Sequence, residues 1–156
     1  MAEEIVGPDH PSVATALNNL ALLYNTQGQY AAAEPLYKRA LSIYEKALGP
    51  DHPSVATSLN NLALLYFNQG QYAAAEPLYK RALSIDEKAL GPDHPSTLVA
   101  VMNLGIFLYE QDDLAGTKPL FERGFKVEVI RDLTAGIARD IDQTCQEEFP
   151  GQVQIL

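Results

Sequence analysis

Apolar residues in 7–48 recur in two stretches of helical spacing separated by a short polar break. From Pro11 to about Thr26 no residue is charged, and Leu17, Leu20, Ala21 and Tyr24 follow at intervals of three, one and three, which gathers them on one helical face. Gln27-Gly28-Gln29 interrupts the pattern with a glycine able to take a left-handed conformation, a common helix stop. A second helix is predicted from about Tyr30 to Ala47, its buried face being Ala33, Leu36, Tyr37, Ala40, Leu41 and Tyr44. Ala33 and Ala40 are small enough to let paired helices approach closely, and Pro35, which removes one backbone hydrogen bond, predicts a slight bend. Gly7-Pro8-Asp9-His10-Pro11-Ser12 reads as a turn into the first helix, with proline near the first helical position and Asp9 or His10 as the cap. Two helices joined by a short glycine turn make an αα-hairpin.

The same hairpin is then written again. Residues 49–90 repeat 7–48 with four differences: Ala16/Ser58, Asn25/Phe67, Thr26/Asn68 and Tyr44/Asp86. A third copy opens identically at Gly91-Pro92-Asp93-His94-Pro95-Ser96 and drifts: Gly70 becomes Asp112, Tyr72 becomes Leu114, Ala75 becomes Thr117 and Ala82 becomes Gly124. A period of 42 residues predicts stacked helical units, each burying its apolar face on its neighbours, and drift in a last copy is what a capping unit shows. Beyond it Val127, Ile130, Leu133 or Thr134, Ile137, Ile141, Cys145 and Phe149 keep helical spacing up to Pro150-Gly151, which predicts a further amphipathic helix covering the third unit. The expected division is a lead-in turn at 1–6, repeats at 7–48, 49–90 and 91–132, and a C-terminal capping helix with a tail at 133–156.

These residues carry a family resemblance. Leu17, Leu20, Ala21, Tyr24, Gly28, Tyr30, Ala33, Tyr37 and Ala40, with Leu59, Leu62, Ala63, Tyr66, Gly70, Tyr72, Ala75, Tyr79 and Ala82 in the second copy, resemble the tetratricopeptide repeat (TPR) signature, with Leu17 where the pattern often has Trp. The 42-residue period, the Leu-Asn-Asn-Leu-Ala run and the Gly-Pro-Asp-His-Pro linker resemble the longer repeat of kinesin light chains and their bacterial relatives. The resemblance implies an all-α fold, a right-handed TPR solenoid of three helix-turn-helix repeats plus the capping helix. It also implies that the first helix of each repeat lines a concave groove. Such folds host cargo adaptors, scaffolds and sensor domains alike.

The groove-facing row expected on that basis is Thr15, Asn18, Asn19, Leu22, Asn25 and Thr26 in the first copy. Thr57, Asn60, Asn61, Leu64, Phe67 and Asn68 follow in the second, and Val99, Met102, Asn103, Ile106, Tyr109 and Glu110 in the third. Asn side chains both donate to and accept from the backbone of an extended peptide, and the leucines, Ile106, Phe67 and Tyr109 add apolar contact. The competing role for Asn19, Asn61 and Asn103 is to bond neighbouring helices and set the superhelix. The first helices carry no basic residue, which disfavours capture of a C-terminal carboxylate or a strongly acidic ligand unless Lys38, Arg39 and their copies reach in from the second helices.

Composition narrows the function classes. The net charge of −9 argues against nucleic acid and anionic membrane as partners. The acidity belongs to the ends, since the first repeat is neutral and the second carries −1. No apolar run approaches the roughly 18 residues of a membrane span, and no basic-then-apolar leader opens the sequence. A single cysteine, Cys145, allows no internal disulfide and sits on an apolar stripe, so a buried small hydrophobe in a cytoplasmic, reducing location is expected.

Catalysis finds little support. Asp9, His10 and Ser12, repeated at Asp51/His52/Ser54 and Asp93/His94/Ser96, are triad residue types confined to one short turn, whereas a nucleophile needs a base across a cleft and an oxyanion site. Equivalent histidines of stacked repeats lie about 10 Å apart, too far to share a zinc ion. No enzyme, metal or cofactor is therefore expected. The favoured function is a protein–protein interaction module that binds an extended peptide segment. The alternative is a structural or assembly segment of a longer TPR array without a peptide ligand. The first repeat keeps Val13, Leu17, Leu20 and Tyr24 with no polar replacement of the kind a capping repeat needs, so the chain is expected to continue a longer array or to self-associate through that face.

Overall fold

The computed structural model describes residues 7–125. Their regular structure consists of six helices: α1 (Pro11–Thr26), α2 (Tyr30–Leu48), α3 (Pro53–Asn68), α4 (Tyr72–Leu90), α5 (Pro95–Glu110) and α6 (Leu114–Phe125). Two compact units divide the chain, Met1–Leu90 with α1 to α4 and Gly91–Leu156 with α5 and α6. The expected lead-in at 1–6, the end of the third repeat and the capping helix at 133–156 lie outside the described residues.

Each odd-numbered helix starts in the same way. A histidine rather than the neighbouring aspartate is the cap: the imidazole Nδ1 accepts the backbone N–H two residues on, from Ser12 to His10 at 3.2 Å, Ser54 to His52 at 3.1 Å and Ser96 to His94 at 3.1 Å. The proline that follows needs no N–H partner and already holds a helical φ. Each of these turns is also tied down by an arginine one period apart in sequence. Arg39, Arg81 and Arg123 donate to the carbonyls of Pro8, Pro50 and Pro92.

The stops are equally regular. At Gly70 the chain takes φ +72°, which lets the Gln71 N–H reach the Tyr66 carbonyl at 2.8 Å and the Gly70 N–H reach Phe67 at 2.9 Å, so two otherwise orphaned carbonyls of α3 are satisfied. Gly28 closes α1 with the same geometry. In the third hairpin Asp112 adopts the left-handed conformation instead, at φ 58°, and the Asp113 N–H reaches the Leu108 carbonyl at 3.0 Å. Aspartate tolerates this region better than most side-chain-bearing residues, so the drift from glycine preserves the turn at some conformational cost.

In the first unit the four helices share one interior. Val13 and Ala14 of α1 pack with Ala40, Ile43 and Tyr44 of α2, with Val55, Ala56 and Leu59 of α3, and with Ala82 and Ile85 of α4. A second cluster joins Ala21, Ala33 and Tyr37 to Leu62 and Leu65 of α3. The small residues sit where helices come closest: Ala21, Ala33, Ala40, Ala63, Ala75 and Ala82 are wholly buried. Leu20 departs from the expected core and stands exposed, although its copy Leu62 is buried. The sequence around them is the same, and what differs is the presence of α2 against Leu62.

Within the second unit α5 packs on α6 through Leu98, Met102 and Phe121, flanked by Ile106 and Tyr109. Two glycines record how the third hairpin was refitted. Met102 stands where the earlier copies have Asn18 and Asn60, and a Cβ on Gly124 would collide with its Sδ. A Cβ on Gly105 would lie 2.9 Å from Phe121 Cε1. Both positions are alanine in the earlier copies, and here the glycines leave room for Met102 and Phe121.

Candidate functional site

The uncharged first helices decide what the first unit shows to solvent. On α1 the positions Thr15, Asn19, Leu22 and Thr26 are exposed, and on α3 the same positions are Thr57, Asn61, Leu64 and Asn68. Their spacing of three or four residues makes one stripe along each helix. Leu22 is 42% exposed and Leu64 38%, although both are large apolar side chains in the middle of a helix. Asn19 is exposed and Asn61 half-buried. The stripe thus alternates hydroxyl or amide with leucine and bears no charge. In the second unit, α5 carries Val99, Asn103, Ile106 and Glu110 at the corresponding positions, with Val99 49% exposed.

Among the remaining members of the expected row, the structure corrects the placement of Asn18, Asn25 and Met102, which are buried. Asn18 is buried and its Nδ2 donates to Ser58 Oγ at 2.8 Å, so it joins α1 to α3. Asn25 is buried too, its Oδ1 accepting from Asn68 Nδ2 at 3.1 Å. Two of the four differences between the copies, Ala16/Ser58 and Thr26/Asn68, therefore supply the polar groups that bond α3 to α1. Asn60 and Phe67 are half-buried, and the Phe67 ring lies against Tyr72, centroids 5.6 Å apart. Met102 is buried in the α5–α6 core, and Tyr109 packs on its edge. The competing role for asparagine, bonding between helices, thus falls to Asn18 and Asn25, one position short of Asn19 and one short of Thr26 on the open stripe.

The cations of the second helices are engaged locally. Lys38 pairs with Glu34 at 2.6 Å and Lys80 with Glu76 at 2.5 Å, each one helical turn away. Arg81 reaches Glu45 at 2.7 Å besides the Pro50 carbonyl. Glu34 also accepts from the Tyr66 hydroxyl at 3.0 Å, a link from α2 to α3. The Lys38 ammonium holds the Glu34 carboxyl below its usual range, against partial burial and with help from Tyr66. Burial raises the Tyr37 hydroxyl above its ordinary value and pushes that of Tyr79 up to about 12. These tyrosines serve the interior. The histidines, as caps, accept backbone hydrogen bonds, and among the described residues no group of three or more His, Cys, Asp or Glu is placed to hold a metal ion.

Six helices in repeated hairpins, with an uncharged face on the first helix of each of the first two, define an all-α helical-repeat protein. The tetratricopeptide repeat family profile matches residues 1–46, 12–88 and 54–125, and the chain belongs to that family. Its repeats are of the kinesin light chain-like type. Among solved structures, BtubC (BKLC) from P. vanneervenii is 26% identical with a TM-score of 0.72, over 86% of this chain and 53% of that one. A kinesin light chain-like protein of Podosopora anserina with nearly identical TPR-like repeats is 29% identical with a TM-score of 0.69, over 80% of this chain and 58% of that one. A variant of the same protein with one substitution gives 28% and 0.64, over 86% and 60%. The chain thus spans between 53% and 60% of the length of these structures. No curated protein matches the sequence. Tetratricopeptide repeats mediate protein–protein interaction, and no helix of the described residues is long and apolar enough to cross a membrane.

Proposed function

We propose that the chain is a protein–protein interaction module that holds an extended, uncharged or mildly basic peptide segment along the first helices of its first two repeats, α1 and α3. One observation carries the reading: two helices carry the same uncharged alternation of hydroxyl, amide and leucine, Thr15/Asn19/Leu22 and Thr57/Asn61/Leu64, with both leucines exposed. Exposed leucines in a fixed register give apolar pockets for side chains, and the amides satisfy a peptide backbone whatever its sequence. Asn103 and Ile106 recur at the same repeat positions on α5. Lys38, Lys80 and Arg81 are paired with carboxylates and so add no strong attraction for acidic ligands.

A groove of this kind is expected to hold a peptide at micromolar strength, about −8 kcal/mol. The test is an unbiased peptide-library selection on the purified chain, followed by titration of a recovered peptide against Asn61→Ala and Leu64→Ala. The amide truncation is expected to weaken binding by about 1–3 kcal/mol, and the affinity is expected to change little with salt. A selection that enriches no sequence would favour the structural alternative, a segment of a longer array without a peptide ligand. Steep salt dependence would transfer the contact surface to Lys38, Arg39, Lys80 and Arg81.

A further inference from the structure

Two polar bonds fix the first hairpins side by side. Asn18 bonds Ser58, 40 residues on, and Asn25 bonds Asn68, 43 residues on. Helices α1 and α3 therefore run in the same direction, and a residue of α1 stands level with its own copy on α3: Asn19 beside Asn61, Leu22 beside Leu64. Side chains as short as asparagine and serine span the gap, so the helices lie at ordinary packing distance. The amide and the leucine of the stripe each recur about 10 Å apart.

Most other polar groups of the stripe are engaged within the protein. Thr15 Oγ1 donates to the Pro11 carbonyl at 3.2 Å and lies 2.7 Å from the Tyr44 hydroxyl. Thr57 Oγ1 donates to Pro53 at 3.3 Å and Thr26 Oγ1 to Leu23 at 2.8 Å, while Asn68 Nδ2 is given to Asn25. What each helix offers a peptide is thus one amide and one leucine, three residues apart on one face: Asn19 with Leu22, Asn61 with Leu64. A matching ligand presents the same pair twice, at a repeat of about 10 Å. It also carries no charge at these contacts, because neither helix has a charged residue from Pro11 to Thr26 or from Pro53 to Asn68, and an ion set there would give up water without gaining a partner.

We infer that the segment held across α1 and α3 is a proline-containing polyproline II helix with an apolar side chain at every third residue. The inference rests on the peptide-binding reading and adds the conformation and spacing of the ligand to it. A polyproline II helix turns once in three residues and rises about 3.1 Å per residue, so residues i and i+3 share a face about 9 Å apart. A β-strand has no such match: i and i+3 point to opposite faces, i and i+2 are about 7 Å apart and i and i+4 about 13 Å. An α-helix brings i and i+7 to about 10 Å, but its backbone groups are bonded internally and leave the two asparagines unused. Polyproline II has no internal hydrogen bonds, so its carbonyls accept from the Nδ2 groups of Asn19 and Asn61. Proline between the apolar residues holds φ in place and lowers the ordering cost of binding.

Calorimetric titration of the full chain with four synthetic peptides tests the spacing. Each is acetylated and amidated, is built of proline and glutamine, and carries two leucines set two, three, four or seven residues apart. The peptide with a spacing of three is expected to bind at least about tenfold more tightly than the others. Leu22→Ala and Leu64→Ala in the protein should each weaken it about tenfold, with unchanged helical circular dichroism because both positions are exposed. Equal or tighter binding at a spacing of two, four or seven overturns the proposal and leaves the peptide-binding reading standing. Binding of the three-spaced peptide that ignores both leucine variants does the same. Absence of binding by all four also overturns the proposal, and the library selection then decides the wider reading separately: enriched sequences keep it, and no enrichment removes it.

Discussion

Leu20 and Leu62 occupy the same place in the same sentence of sequence, yet one is exposed and the other buried. Helical periodicity names the apolar faces but not which of them will have a neighbour, so the core expected from spacing includes Leu20 and leaves Leu23 aside. For the same reason spacing does not tell Asn18 from Asn19. They are adjacent in sequence, about 100° apart round the helix, and only the position of α3 turns the first into an inter-helix bond and leaves the second open. The energetic consequence is direct. Leu62→Ala should cost about 2–5 kcal/mol, the range for a buried leucine. Leu20→Ala should cost a small fraction of that, because the side chain is 41% exposed, and urea titration of the two variants decides the matter. Equal losses would mean that the two positions share one environment.

Also at the residue scale, Tyr79 gives a prediction in pH. Its hydroxyl is buried and pushed from an ordinary value of 10.0 up to about 12. The folded chain therefore keeps its proton where the unfolded chain has lost it. The neutral side chain contributes fully below pH 10, and the contribution falls away as pH rises through about 12. The loss across that interval is about 2–3 kcal/mol. Alkaline unfolding of Tyr79→Phe, which has no proton to lose, should be less steep there than that of the unsubstituted chain. Tyr37, raised by burial in the same direction, adds to the effect.

Helices are the most legible feature of the chain. Pro11–Thr26 and the start at Tyr30 can be read from the capping turn, the glycine stop and the apolar spacing, and α2 ends at Leu48, one residue beyond the expected boundary. The choice of His10 over Asp9 as cap is not legible, because both residues offer an acceptor within two positions of Pro11. Nor is Asp112 readable as a preserved stop. Its left-handed backbone holds the turn that glycine makes elsewhere. Asp112→Gly should therefore stabilise the third hairpin by about 1 kcal/mol, a gain that thermal unfolding would register. A loss would mean that the aspartate side chain contributes more to the turn than its backbone conformation costs.

At the scale of the whole molecule, the repeats assign different work to different faces of one helix type. On α1 and α3 one flank carries the asparagines and small polar residues that lock hairpin to hairpin, while the stripe beside it leaves leucine and amide open. Binding of a partner along that open stripe is tested most directly by an NMR titration with a peptide recovered by selection, following the asparagine side-chain amides and the leucine methyls. Shifts are expected at Asn19, Asn61, Leu22 and Leu64, with Asn18 and Asn25 changing little because each is already bonded to a neighbouring helix. Shifts confined to Leu20 and Leu23, or bound peptide with no shift at Asn19, Asn61, Leu22 and Leu64, would contradict binding there.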